Sequence, residues 1–181
     1  LNSARFLSQL LEANIKVSFC ESNFESDGAI YKKGTLIILR GDNNIPEFDE
    51  LFAEIALKEE VEIYSIASGM VDKGFDLGSS KVKNIPNPKI GILAGRMTSS
   101  LSVGENWHFF EEEMNKSVSL ILEDEIDEAL NDINVLIVPE GDYTPTNSLN
   151  DWVADGGKLI VIGSAINTFI NDEFYNAKEK E

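Results

Sequence analysis

The chain has 181 residues, 43% hydrophobic and 26% charged, the composition of a folded domain rather than of a disordered polymer. Its formal net charge of −17 repels phosphate backbones and anionic lipid surfaces, which argues against nucleic acid or a membrane as partner. A single cysteine, Cys20, excludes an internal disulfide, and no apolar run approaches the roughly 18 residues of a spanning helix.

The N-terminus lacks the basic-then-apolar order of a signal peptide. Leu1 leads directly into an amphipathic pattern, which reads as the start of an excised domain whose targeting signals would lie elsewhere in a parent. Helical spacing of Phe6, Leu7, Leu10 and Leu11 predicts a helix over 3–13, with Asn14 as its stop, followed by a strand from Lys16 to Cys20. Residues 21–33 are polar and turn-rich. Thr35 to Leu39 (TLIIL) is a continuous β-branched run, expected as a strand buried on both faces. Asn43, Asn44 and Pro46 are expected to start a helix over 47–60 with Phe48, Leu51, Phe52, Ile55 and Ala56 on one face, and Val61 to Ile66 returns as a strand. That would make one βαβ unit.

Residues 67–88 are rich in Gly, Ser, Asp, Asn and Pro and read as a surface excursion or an internal boundary. Beyond them the α/β rhythm is regular. Strands are expected at 89–94, 118–122, 135–138 and 158–162, and helices at 102–114, 124–130, 149–154 and from about Ser164. Gly156 and Gly157 end the helix at 149–154. Such alternation predicts a mostly parallel sheet with helices on both faces, a three-layer α/β/α sandwich. The chain is expected to form one domain, residues up to about Pro86 making its first part or a small separate lobe.

The most informative stretch is PKIGILAGRMTSSLSVGENWHFFEEE, Pro88 to Glu113, where an apolar strand turns through Gly, Ser and Thr into a helix. In an open parallel sheet, ligands sit at such carboxyl ends of strands. Arg96, Ser99, Glu105 and His108 are the candidate binding residues from this turn and helix. Glu140, Gly141 and Ser164, which follow later strands, are expected beside them. A Ser/Thr turn feeding a helix N-terminus can hold a carboxylate or other anion, or Ser99, Ser100 or Ser102 simply caps the helix. Trp107 and Phe110 read as packing residues.

Several chemistries lack their parts. The turn is not G-x-G-x-x-G, and no G-x-x-x-x-G-K-[ST] occurs. His108 and Glu111 spell H-x-x-E, but a catalytic zinc needs about three protein ligands and this is the only histidine. Gly163-Ser164 resembles a nucleophile elbow without being G-x-S-x-G, and Ser164 reads as a helix cap. Cys20 reads as a small buried hydrophobe.

In order, GTLIILRGDN, GFDLGSSKV, PKIGILAGRMTSSLSVGENWHFFEE, INVLIVPEGDY and LNDWVADGGKLIVIGSA resemble the region downstream of the catalytic domain in large bacterial zinc carboxypeptidases, especially of Bacteroidetes type. That region is similar to class I glutamine amidotransferases, a flavodoxin-like architecture. The resemblance implies a secreted or periplasmic parent that removes C-terminal residues with zinc held in its own catalytic domain. It implies no cofactor, catalytic residue or metal ligand in this segment, since Gly163 and Ser164 stand where the amidotransferase cysteine would be. The expected role is a noncatalytic accessory domain that docks on the peptidase or assists binding of its peptide substrate. The alternative is an independent small-molecule-binding or degenerate hydrolase domain using the strand-end cleft.

Overall fold

A computed structural model of the chain describes residues 1–170 and 174–175. The chain divides into two compact units, Leu1–Asn87 and Pro88–Glu181.

In the first unit, α1 (Asn2–Glu12) precedes β1 (Val17–Cys20). Asn14 takes φ 58° just past the helix, Ile15 N–H bonds Leu10 O at 2.8 Å and Asn14 N–H bonds Leu11 O at 3.0 Å. This closes the helix by a left-handed residue, the role expected of Asn14. β2 (Phe24–Ser26) and β3 (Ala29–Tyr31) form an antiparallel hairpin inside the segment read as turn-rich. Asp27 and Gly28, both at positive φ, make its two-residue turn, and the Phe24 and Tyr31 rings stack across it at 4.8 Å. β4 (Leu36–Ile37), α2 (Phe48–Lys58) and β5 (Val82–Ile85) complete the unit.

The expected βαβ unit is not formed. β1 lies between β4 and β5 and pairs antiparallel with both, and 61–66 is not a strand. The strand neighbour comes instead from Val82–Ile85, within the segment read as an excursion. TLIIL does alternate between two faces: Leu36 and Ile38 pack with Phe6, Leu10 and Ile55 of the helices, while Ile37 and Leu39 pack with Cys20 and Phe24. Leu36 and Ile37 pair with β1 on one side only, since β4 is an edge strand.

Asn43 is buried and holds this unit's backbone together. Its Oδ1 accepts from Lys16 N–H at 2.7 Å, and its Nδ2 donates to Lys16 O at 3.2 Å and Leu39 O at 3.0 Å. Read as a helix-start residue, it is instead a strap between the approach to β1 and the end of the TLIIL run.

The second unit is a four-stranded parallel sheet in the order β7-β6-β8-β9, where β6 is Ile90–Ala94, β7 Val118–Leu122, β8 Val135–Val138 and β9 Lys158–Val161. These bounds match the sequence periodicity closely. Helix α3 (Ser100–His108) continues as a wider π turn through Phe109–Glu113, and α4 (Ile126–Ala129), α5 (Asn147–Ala154) and α6 (Ile166–Ile170) follow. Strand alternation sorts the core. Leu93, Ile121, Leu136 and Val138 pack with Ile126, Leu149 and Phe169 on one face, and Ile90, Ile92, Val135 and Ile137 pack with Val103 and Phe110 on the other. Helices therefore flank both faces, as a parallel sheet requires. Phe110 takes its expected packing place, whereas Trp107 is partly exposed.

The strap at Asn43 makes a stability prediction. Asn43→Ala leaves three partly buried backbone groups without this partner and is expected to cost about 1–3 kcal/mol, whereas Asn44→Ala at the exposed neighbour should change stability by less than about 0.5 kcal/mol. Urea denaturation of both variants checks the difference.

Candidate functional site

Because β6 to β9 are parallel, the turns after Ala94, Leu122, Val138 and Val161 emerge at one end of the sheet. Gly95, Gly141 and Gly163 all lie there. From β6 the chain steps to β7 on one side, then returns past β6 to β8 on the other, so the winding reverses between β6 and β8. A crevice at such a reversal is the usual ligand site of an open α/β sheet.

Here the two turns that flank the reversal are bonded to each other. Ser99 N–H donates to Glu140 O at 2.7 Å, and Asp142 N–H to Met97 O at 2.9 Å. Thr98 and Gly141 pair as an antiparallel bridge, and Glu140 N–H donates to Ser102 Oγ at 3.2 Å. From the β7 side, Glu123 Oε1 accepts from Met97 N–H at 2.6 Å. A Cβ at Gly141 would lie 2.0 Å from Met97 O, and one at Gly95 would lie 2.6 Å from the Glu123 carboxyl carbon. The approach of backbone to backbone is what demands glycine at 141. Chain fills the space where a ligand would otherwise meet these amides.

The structure brings Ser99, Glu140 and Gly141 together, and a Cβ on Gly163, the residue before Ser164, would be 3.1 Å from Glu140 Cβ. Ser99 caps α3, its hydroxyl accepting from Ser102 N–H at 3.4 Å. Arg96 is exposed and makes no ion pair or hydrogen bond among the described residues. Glu105 and His108 face outward from α3 and, with Ser100, Leu101 and Gly104, line an open depression of about 430 Å³. Ser164 is exposed in the short turn Gly163–Ala165 and makes no side-chain cap bond; Ser99 and Thr146 are the serine and threonine that cap helices.

Glu111 is not directed to a metal shared with His108: its Oε1 accepts from Val118 N–H at 3.2 Å and so clasps the start of β7. Among the described residues no three His, Cys, Asp or Glu side chains are grouped to hold a metal ion. Cys20 is buried, its Sγ donating to Lys32 O at 3.1 Å. Met97, Glu123 and Asp142 also take part, and Ser102, a candidate cap, instead accepts from Glu140 N–H. Glu123 carried a signal in the sequence, since it follows β7 as Glu140 follows β8.

Tyr143, in the turn after β8, is buried against Leu149 and Phe169. Burial raises its phenol above the ordinary value of 10.0, and the neighbouring Thr146 hydroxyl opposes part of the rise. The Oη makes no hydrogen bond of good geometry among the described residues.

No protein-family model, curated protein or solved structure matches the chain.

Two predictions follow from the packing at this end of the sheet. Gly141→Ala should destabilise the fold by about 2 kcal/mol or more, because a backbone carbonyl must move, whereas Gly104→Ala, a helix position with open space around it, should stabilise it by up to about 1 kcal/mol. Thermal melts of the pair give the contrast. For Tyr143 the folded phenol holds its proton more tightly than the unfolded one, so its contribution is complete below pH 10 and is lost as pH rises through the raised folded value. Tyr143→Phe should leave stability at pH 7 unchanged or slightly higher and flatten the alkaline loss, measured by denaturation between pH 8 and 11.

Proposed function

We propose that the chain is a noncatalytic accessory domain of a zinc carboxypeptidase, docking on the peptidase or assisting the binding of its peptide substrate. The observation that carries this reading is the closed crevice between β6 and β8: the position where an open α/β sheet binds small ligands is occupied by the bonds from Ser99 to Glu140 and from Asp142 to Met97. With that position filled, apolar side chains remain open at both edges of the sheet. On the α3 face of the sheet, Leu120 and Leu122 of β7 and Ile160 of β9 are 53%, 48% and 47% exposed, on the kind of sheet normally covered on both faces. Such a surface suits a protein partner.

The ordered segments that resemble the carboxypeptidase accessory region supply the identity of that partner. The β7-β6-β8-β9 order with helices on both faces suits a three-layer, flavodoxin-like or amidotransferase-like sandwich. In this reading zinc belongs to the parent's catalytic domain, and the parent is secreted or periplasmic. A second reading, a small-molecule or degenerate hydrolase site, draws on the depression beside Glu105 and His108.

The expected outcome is that the chain alone neither releases C-terminal residues from peptides nor hydrolyses glutamine. A carboxypeptidase catalytic domain should be encoded upstream and bind this chain, and Leu122→Lys with Ile160→Lys should weaken binding by about tenfold or more. Turnover that disappears in His108→Ala would overturn this reading in favour of the second, and absence of an upstream peptidase domain would remove the partner.

A further inference from the structure

We propose that the free edge of β7 accepts an extended, cationic peptide segment as an additional strand. The inference does not depend on the peptidase association. Among the described residues β7 pairs on one side only, with β6, so alternate backbone N–H and C=O groups along Val118–Leu122 face away from the sheet. Edge strands are ordinarily blunted by proline, lysine, a bulge or a covering element. β9, at the opposite edge, opens with Lys158, whereas VSLIL carries no charge, proline or glycine. Among the described residues its clasp is the Glu111 carboxylate on Val118 N–H at the strand's start.

The two faces of this edge differ in chemistry. Toward α3, Leu120 and Leu122 are about half exposed and offer apolar cross-strand contacts. Toward α4, a groove of about 200 Å³ runs along the strand, floored by Ser119 and Ile121 and bordered by Glu125, Ala129 and Asp132. Glu125 and Asp132 are exposed, and neither carboxylate bonds another described residue. A strand added here would place alternate residues on Leu120 and Leu122 and the intervening ones before Glu125 and Asp132. The matching pattern is apolar and basic residues in alternation.

Charge selects this occupant over a second copy of the chain. From Phe109 to Gly157 the one basic residue is Lys116, which is buried, while carboxylates recur at 111–113, 123–125, 127, 128 and 132. Pairing two such edges would bring like charges together in a chain of net charge −17.

The test titrates the full chain with three capped eight-residue peptides: alternating lysine and valine, four lysines followed by four valines, and alternating glutamate and valine. Binding is read by calorimetry and by amide shifts of β7. The alternating basic peptide should bind and shift the β7 amides, the block peptide should bind at least about tenfold more weakly, and the acidic peptide should not bind. Leu122→Lys, and separately Glu125→Gln with Asp132→Asn, should each weaken binding by about tenfold or more with circular dichroism unchanged. If Leu122→Lys perturbs the fold, the carboxylate pair carries the test. Equal binding of the block peptide would overturn the proposal, since attraction would then be independent of strand pairing. So would no binding of the alternating peptide, or a dimer abolished by Leu122→Lys in its place.

Discussion

The backbone contact between the turn after β6 and the turn after β8 is the constraint on which the sheet end of the second unit depends. A parallel sheet that reverses its winding leaves its strand-end amides open, and here those amides are spent on Glu140, Met97 and Glu123. The contact exists because position 141 has no side chain, so the Met97 carbonyl can lie where a Cβ would be. One residue choice thus allows the two turns to meet across the sheet end.

Those faces and edges are unevenly covered. On one side α4, α5 and α6 bury Leu93, Ile121, Leu136 and Val138, while on the other α3 and its π turn cover the central strands and leave Leu120, Leu122 and Ile160 partly in water. Apolar side chains on a parallel sheet gain stability from burial, and a single helix is too narrow to cover four strands. The net charge of −17 opposes the approach of a second copy to such a surface.

The first unit is held by different means. Its sheet is antiparallel, its helices share the cluster of Phe6, Leu10, Ile55 and Phe48, and a buried amide at Asn43 supplies backbone partners that the two-residue β4 is too short to provide. The Asp27-Gly28 turn is a local device that sets the register of its hairpin, which also bonds to the chain at Lys73.

Local signals were legible in the sequence wherever one segment decided its own state. The strands at 118–122 and 135–138, the stop at Asn14, and the alternation that makes 88–170 a parallel sheet with helices on both faces follow from side-chain period and backbone preference. So does the gathering of the turns at 95, 141 and 163, because parallel strands share an end. The hairpin at 24–31 was equally local, its Asp-Gly turn flanked by Phe24 and Tyr31, and was hidden by the polar residues around it. Tertiary structure alone decided the rest. Val61 to Ile66 has a strand's composition but no strand to pair with, since Val82 to Ile85 takes the place beside β1. Among the candidate residues, Ser99, Glu140 and Gly141 became partners in closing a crevice, while Glu105 and His108 turned outward. Pairing partners and the filling of a gap depend on residues far apart in sequence meeting in space, and periodicity along one segment holds no record of that meeting.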